Sequence, residues 1–187
     1  MGSPPEPPRR SFLKKGLLGG LLLAVGGAGA IALRPTVKKA SPRSQLLVFS
    51  PDEYAIFAAI AECVVAAPEG SPSPTSVDVA GKADAAMALA LPSVQKEFKQ
   101  LLGLFENGLT GVTTGTSLAP FTGASAKAQR ARMTAWSRSR IGLFRTGYQA
   151  VKRLAAACYY ASPESWKAVG YPGPPQISFP KELERLA

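Results

Sequence analysis

The sequence predicts an all-α protein: a single small bundle of about five helices, preceded by a signal or anchor helix and followed by an extended Pro-rich tail. Three observations point there. Apolar residues between Ser50 and Tyr171 recur at spacings of three and four. Each such run is bounded by Ser-Pro, Asp, Pro or Asn-Gly, the residues that start and stop helices. No stretch alternates with the period of two that a strand requires.

Helix one opens at Ser50-Pro51-Asp52-Glu53. Ser50 is suited to cap, Pro51 to occupy the first turn and Glu53 to close a capping box. Its apolar stripe is Ile56, Phe57, Ile60, Cys63, Val64 and Ala67, ending at Pro68. Gly70-Ser71-Pro72-Ser73-Pro74 breaks the chain, and Asp78 opens an alanine-rich helix two that runs through Met87, Leu89 and Leu91 to Pro92. Ser93 is the expected cap of helix three, with Phe98, Leu101, Leu102 and Phe105 inward, Lys96, Lys99 and Gln100 outward, and Asn107-Gly108 as its end. Residues 109–124 hold five Thr, three Gly and one Pro without helical period, which reads as a long loop packed through Leu118 and Phe121. Ser125 starts helix four with Met133, Trp136, Ile141, Leu143 and Phe144. Helix five carries Tyr148, Val151, Leu154, Ala155, Cys158 and Tyr159, with Gly142 or Gly147 at the junction. Ser162-Pro163-Glu164 caps one more short turn bearing Trp166.

Ahead of the bundle, Pro8 to Lys14 read P-R-R-S-F-L-K. Arg9, Arg10, Phe12, Leu13 and Lys14 resemble a twin-arginine export signal, followed by an uncharged run of 18 residues, Gly16 to Leu33, containing six glycines. A run of this length is at the lower edge of what spans a bilayer, so an uncleaved anchor helix is the competing reading. Ala28, Ala30 and Ala32 offer small-residue cleavage sites, and glycine weakens a stable anchor. The expected organisation is a signal peptide over 1–32, a basic Pro/Ser linker over 33–49, a helical domain over 50–171 and an extended tail over 172–187. The expected location is the periplasm or the periplasmic face of the inner membrane, reached through the twin-arginine translocase.

Composition narrows the chemistry. The chain of 187 residues has no histidine, the commonest general base and metal ligand. Its two cysteines, Cys63 and Cys158, form neither CxxC nor CxxCH spacing. No catalytic, cofactor-binding or metal-binding residue is therefore expected in this chain. Outside the cytoplasm Cys63 and Cys158 either join in a disulfide or remain buried free thiols, and the sequence leaves both open. The leader holds four basic residues and one acid, so removing it takes the formal charge from +10 to +7. Between Glu106 and Glu164 lie Lys127, Arg130, Arg132, Arg138, Arg140, Arg145, Lys152 and Arg153 with no acid among them. That one-sign stretch reads as a solvated face or as a dock for an acidic partner or anionic surface. No nucleic-acid motif accompanies it, and export would remove the protein from most nucleic acid.

The stretch Tyr159-Tyr160-Ala161-Ser162-Pro163-Glu164-Ser165-Trp166-Lys167-Ala168-Val169-Gly170-Tyr171-Pro172-Gly173-Pro174-Pro175 resembles the closing motif of the gluconate 2-dehydrogenase subunit 3 family, with Ser50-Pro51-Asp52-Glu53-Tyr54 agreeing more loosely at the front. The resemblance covers about residues 50 to 175. It implies a small helical accessory subunit that accompanies a flavoprotein of the glucose-methanol-choline type, and often a c-type cytochrome, with FAD and haem in those partners. The implied role is to aid folding of the catalytic subunit and to lend it an export signal. Tyr159, Tyr160, Trp166, Tyr171 and Pro172 are then the expected partner contacts, aromatic anchors beside a Pro-rich tail; the competing reading has Trp166 and Tyr160 stapling the tail to the domain itself. The Pro-Ser-rich break after helix one and the Thr-Gly-rich stretch at 110–117 depart from the family pattern. The alternative function is a stand-alone exported or membrane-anchored binding protein without a flavoprotein.

Overall fold

The computed structural model describes residues 40–113, 115 and 119–175. The twin-arginine residues, the run that follows them, Leu118 and residues 176–187 lie outside the described residues. Within them the fold is all-α: α1 Pro51–Val64, α2 Val79–Ala88, α3 Pro92–Glu106, α4 Gly108–Thr113, α5 Ala126–Ser137, α6 Gly142–Tyr160, α7 Pro163–Trp166 and a 3-10 turn Lys167–Val169. None of these helices is long and apolar enough to cross a membrane.

The central element is α1, which packs against α2, α3, α5 and α6. Its capping box forms as the sequence predicts: Glu53 N–H donates to Ser50 Oγ at 3.2 Å, and Ser50 N–H donates to Glu53 Oε2 at 2.7 Å. Burial extends beyond a single stripe to Tyr54, Ala55, Ile56, Phe57, Ala58, Ile60, Ala61 and Val64, because neighbours cover the helix on several sides. The helix stops at Val64, Val65 is still buried, and Ala67 is exposed.

Two predicted caps fall elsewhere. Leu91, not Ser93, sits at the N-cap of α3, with Pro92 in the first turn and no side-chain cap. Gln95 closes the preceding corner instead, its Nε2 donating to the Met87 and Ala90 carbonyls at 3.0 and 3.1 Å. The second is Ser162, which precedes α7 without capping it; its hydroxyl turns back to the Cys158 carbonyl at 2.8 Å. Asp78 does cap α2, from the left-handed region at φ 53°, accepting from Gly81 N–H at 3.1 Å. A side chain at Gly81 would run into that carboxylate.

The expected long loop over 109–124 contains a short helix, α4. Thr110 Oγ1 donates to the carbonyls of Leu104 and Asn107 at 3.2 and 2.8 Å, so a threonine hydroxyl seals the end of α3 while the chain makes one more turn. A six-residue helix is too short to leave a periodic apolar signature. Phe121 from the same stretch is fully buried, as expected.

Helix α6 packs on α5 through an aromatic stack. Trp136 is fully buried, 3.8 Å from Phe105 and 4.6 Å from Phe144 between ring centroids. Gly147 permits this approach, since a Cβ there would lie 2.6 Å from Leu101 Cδ1 and 3.3 Å from Trp136 Cζ3. The junction falls at Gly142. Ile141 and Leu143, expected on the buried face of one helix, are about half exposed, because the break at Arg138 restarts the helical phase.

Candidate functional site

Both cysteines are free thiols. Cys63 Sγ lies 4.0 Å from Gln129 Oε1 on α5, whereas Cys158 lies on α6 within the electrostatic reach of Lys82 on α2, so each faces a different neighbour. Burial pushes the Cys63 thiol up to about 11 and raises that of Cys158 as well. Both are held in the protonated form, which is neither nucleophile nor ligand.

One arrangement has the outline of a nucleophile beside a base. Lys82 Nζ donates to Ser162 Oγ at 2.6 Å, with Glu164 4.0 Å from the same ammonium. Ser162 is 1% exposed, and its own proton is committed to the Cys158 carbonyl. The contact pins α2 to the start of α7; the hydroxyl has no open path to a substrate. A cleft of about 200 Å³ lies beside α1, and its carboxylate, Glu62, is already engaged by Thr75 N–H and Oγ1 at 2.8 and 2.6 Å. That volume is below the usual range for a small-molecule site. Among the described residues no three His, Cys, Asp or Glu side chains converge as a metal set would.

The C-terminal aromatic motif divides. Tyr159 is fully buried, its hydroxyl donating to the Pro72 carbonyl at 2.7 Å, so it ties α6 to the break after α1 and cannot meet a partner in this fold. Trp166 Nε1 donates to the Tyr160 carbonyl at 2.8 Å, and its ring meets Tyr171 edge-on at 5.2 Å. Gly173 packs on the same ring: a Cβ there would be 3.1 Å from Trp166 Cζ3. The 3-10 turn ends at Gly170 with φ 69°, the left-handed geometry that lets Tyr171 N–H return to the Trp166 carbonyl at 3.0 Å. Trp166 thus staples the start of the tail. Tyr160 and Tyr171 stay 41% and 46% exposed, and Pro172 is exposed beside them.

The basic stretch divides too. Arg132 is 1% exposed, its guanidinium donating to the Phe105 and Ala119 carbonyls at 3.3 and 2.8 Å and lying over the Phe121 ring. Its charge belongs to the core, where burial lowers its pKa. Lys127, Arg130, Arg138, Arg140, Arg145, Lys152 and Arg153 are exposed.

Two buried charges hold structural roles that the sequence reading does not assign, Asp84 and the Arg132 counted there with the basic stretch. Asp84 is 2% exposed and accepts the backbone N–H groups of Leu47, Val48 and Phe49 at 2.6, 2.9 and 2.6 Å, fastening the segment before α1 onto α2. It sits four residues from Ala80 on the apolar face of α2, and a lone acid there signals a buried partner. Arg132 carries the same kind of signal, four residues before Trp136 on the face that enters the core.

Fold and surface together define a small all-α domain whose conspicuous exposed side chains are aromatic, aliphatic and basic. The profile of Gluconate 2-dehydrogenase subunit 3 matches residues 51–173, and the chain belongs to that family. Partnership with a dehydrogenase complex, as its small subunit, follows from that membership. No curated protein and no solved structure matches the chain.

Proposed function

We propose that this chain is the non-catalytic accessory subunit of a periplasmic flavin-dependent dehydrogenase of the glucose-methanol-choline type. In this reading it aids folding of the catalytic subunit and carries it through the twin-arginine translocase on the signal around Arg9 and Arg10. FAD belongs to the large subunit, and a c-type cytochrome, where present, takes the electrons. The observation that carries the reading is the family match, which runs from the first residue of α1 to Gly173, the residue packed on the Trp166 staple. A chain with no histidine and with both thiols held protonated accords with chemistry performed by another polypeptide. Tyr160, Tyr171 and Pro172 stand exposed at the C-terminal end of α6 for contact with that polypeptide.

The test is purification of the full chain from its native membrane and periplasmic fractions, with mass spectrometry and a flavin absorbance spectrum of what accompanies it. A flavoprotein without an export signal of its own is the expected companion. Replacing Arg9 and Arg10 by Lys is expected to strand both polypeptides in the cytoplasm. A flavoprotein that still reaches the periplasm beside the variant removes the carrier role.

A further inference from the structure

We infer that the corner between α5 and α6, built from Arg138, Arg140, Ile141, Leu143 and Arg145, docks an acidic, apolar-centred patch on the catalytic dehydrogenase subunit. This rests on the accessory-subunit reading above and adds to it the surface and the chemistry of the partner face.

Ile141 and Leu143 are 52% and 50% exposed, separated by Gly142 alone, with two exposed arginines before them in sequence and one after. A single exposed aliphatic is ordinary, but two of them flanked in sequence by three exposed arginines have the composition of an interface: an apolar centre with a charged rim in which arginine is favoured. The corner is also pre-shaped. Ser139 N–H donates to the Trp136 carbonyl at 3.2 Å, Ile141 N–H to Ser139 Oγ at 3.1 Å, and Arg145 Nη1 to the Ser139 carbonyl at 2.6 Å. Behind it stands the buried stack of Phe105, Trp136 and Phe144. The backbone under the exposed side chains is therefore held before any partner arrives, which limits the ordering cost of association.

Charge selects the occupant. From residue 107 to residue 163 the chain has eight basic residues and no acid, and of the eight only Arg132 is buried. At the corner itself Arg138, Arg140 and Arg145 are all exposed. The stretch that carries the corner is thus positive, and the complementary surface is a protein patch rich in Asp and Glu around an aliphatic centre. An anionic membrane would satisfy the same charges. Membership in a family of dehydrogenase subunits favours the protein.

The experiment uses the full-length tagged chain co-produced with its flavoprotein, reading flavin recovered per accessory chain after washing at about 0.15 M salt. Arg138→Glu/Arg140→Glu and, separately, Ile141→Ser/Leu143→Ser are each expected to lower that ratio about tenfold or more, with unchanged thermal melting of the accessory chain. Lys96→Glu reverses a charge on the exposed face of α3 while leaving Lys99 in its ion pair with Glu53, and is expected to stay within about twofold. Undiminished recovery with both corner variants overturns the proposal, as does an equal loss with the α3 control. So does a corner variant that loses only its binding to vesicles of anionic phospholipid. If the wild-type chain itself recovers no flavoprotein, the accessory-subunit reading fails and the docking assignment falls with it.

Discussion

Residues 40–106 carry eight carboxylates against four basic side chains, whereas residues 107–163 carry eight basic side chains and no carboxylate. The two regions also differ in where their charge points. In the first, Glu53, Glu62, Asp78, Asp84 and Glu106 each accept at least one backbone N–H, at 2.7 Å for Glu53, 2.8 Å for Glu62, 3.1 Å for Asp78, 2.6 Å for Asp84 and 3.0 Å for Glu106. In the second, seven of the eight cations are exposed, and the interior is held by ring stacking around Trp136. Anions in the front region thus satisfy donors that turns and helix starts leave over. In the back region Arg132 and Arg145 donate to backbone carbonyls and Lys152 lies over the Tyr148 ring, whereas the Arg138 and Arg140 side chains stand exposed without such a contact. A surface charge without a task in its own fold is the natural candidate for a task in an assembly.

That contrast breaks most readily at Asp84. Its carboxylate, itself 2% exposed, gathers three N–H groups, so removing it strands one buried and two half-buried donors at once. Asp84→Ala is expected to cost about 3 kcal/mol, read as a lowered midpoint in urea denaturation. Asp84→Asn, which keeps one acceptor oxygen but presents an amide to the donors, is expected to cost nearly as much. A loss below about 0.5 kcal/mol for either variant would mean that the segment 47–49 is held by the packing of Phe49 on Phe57 and Phe98 instead.

The front region is also where pH should act. Tyr54 is buried and its hydroxyl donates to Asp78 Oδ1 at 2.7 Å; burial first, then that hydrogen bond and the carboxylate charge, push it up to about 12 from 10.0. Burial raises Cys63 to about 11 from 9.0. Both groups are stabilised in their protonated forms, so the unfolded chain gives up these protons at lower pH than the folded one. Their contribution is complete below pH 9 and is lost as pH rises through 12. Melting temperature is expected to fall across that window. Tyr54→Phe should start from a lower melting temperature at neutral pH and flatten the upper part of the decline; a variant that declines as steeply as wild type between pH 10 and 12 removes Tyr54 from the explanation.

How much of this was legible beforehand follows the same division. The capping box of α1, the Asp78 and Ser125 starts and the inward Phe98, Leu102 and Phe105 could be read because local chemistry and helical period agree there. Of the expected partner contacts, Tyr160, Tyr171 and Pro172 are exposed, while Tyr159 reaches 87 residues back to Pro72, a tertiary contact no spacing announces. The free state of Cys63 and Cys158 depends on which helix faces each thiol, which a period cannot supply. Extending one helical phase through the break places Ile141 and Leu143 on the buried face, where they do not lie. Recognising Arg138-Ser139-Arg140 as a polar corner would have turned both outward.

The smallest expected effect sharpens the contrast most. Arg138→Glu/Arg140→Glu places two acids in a stretch that has none, yet both positions are exposed and lie outside the Trp136 stack. Arg138 is the C-cap of α5, where an acid faces the negative end of the helix dipole at a cost of about 0.3–1 kcal/mol, whereas Arg140 precedes the start of α6, where an acid gains a similar amount. The two effects oppose each other, so the double reversal should be close to neutral. Urea denaturation of the isolated accessory chain at low and high salt measures this directly. A destabilisation above about 1 kcal/mol would show that these cations serve the fold after all, and the division between structural anions and outward-facing cations would have to be abandoned. A neutral result, set beside the loss of several kcal/mol at Asp84, would place the front region's charges in folding and leave the back region's to recognition.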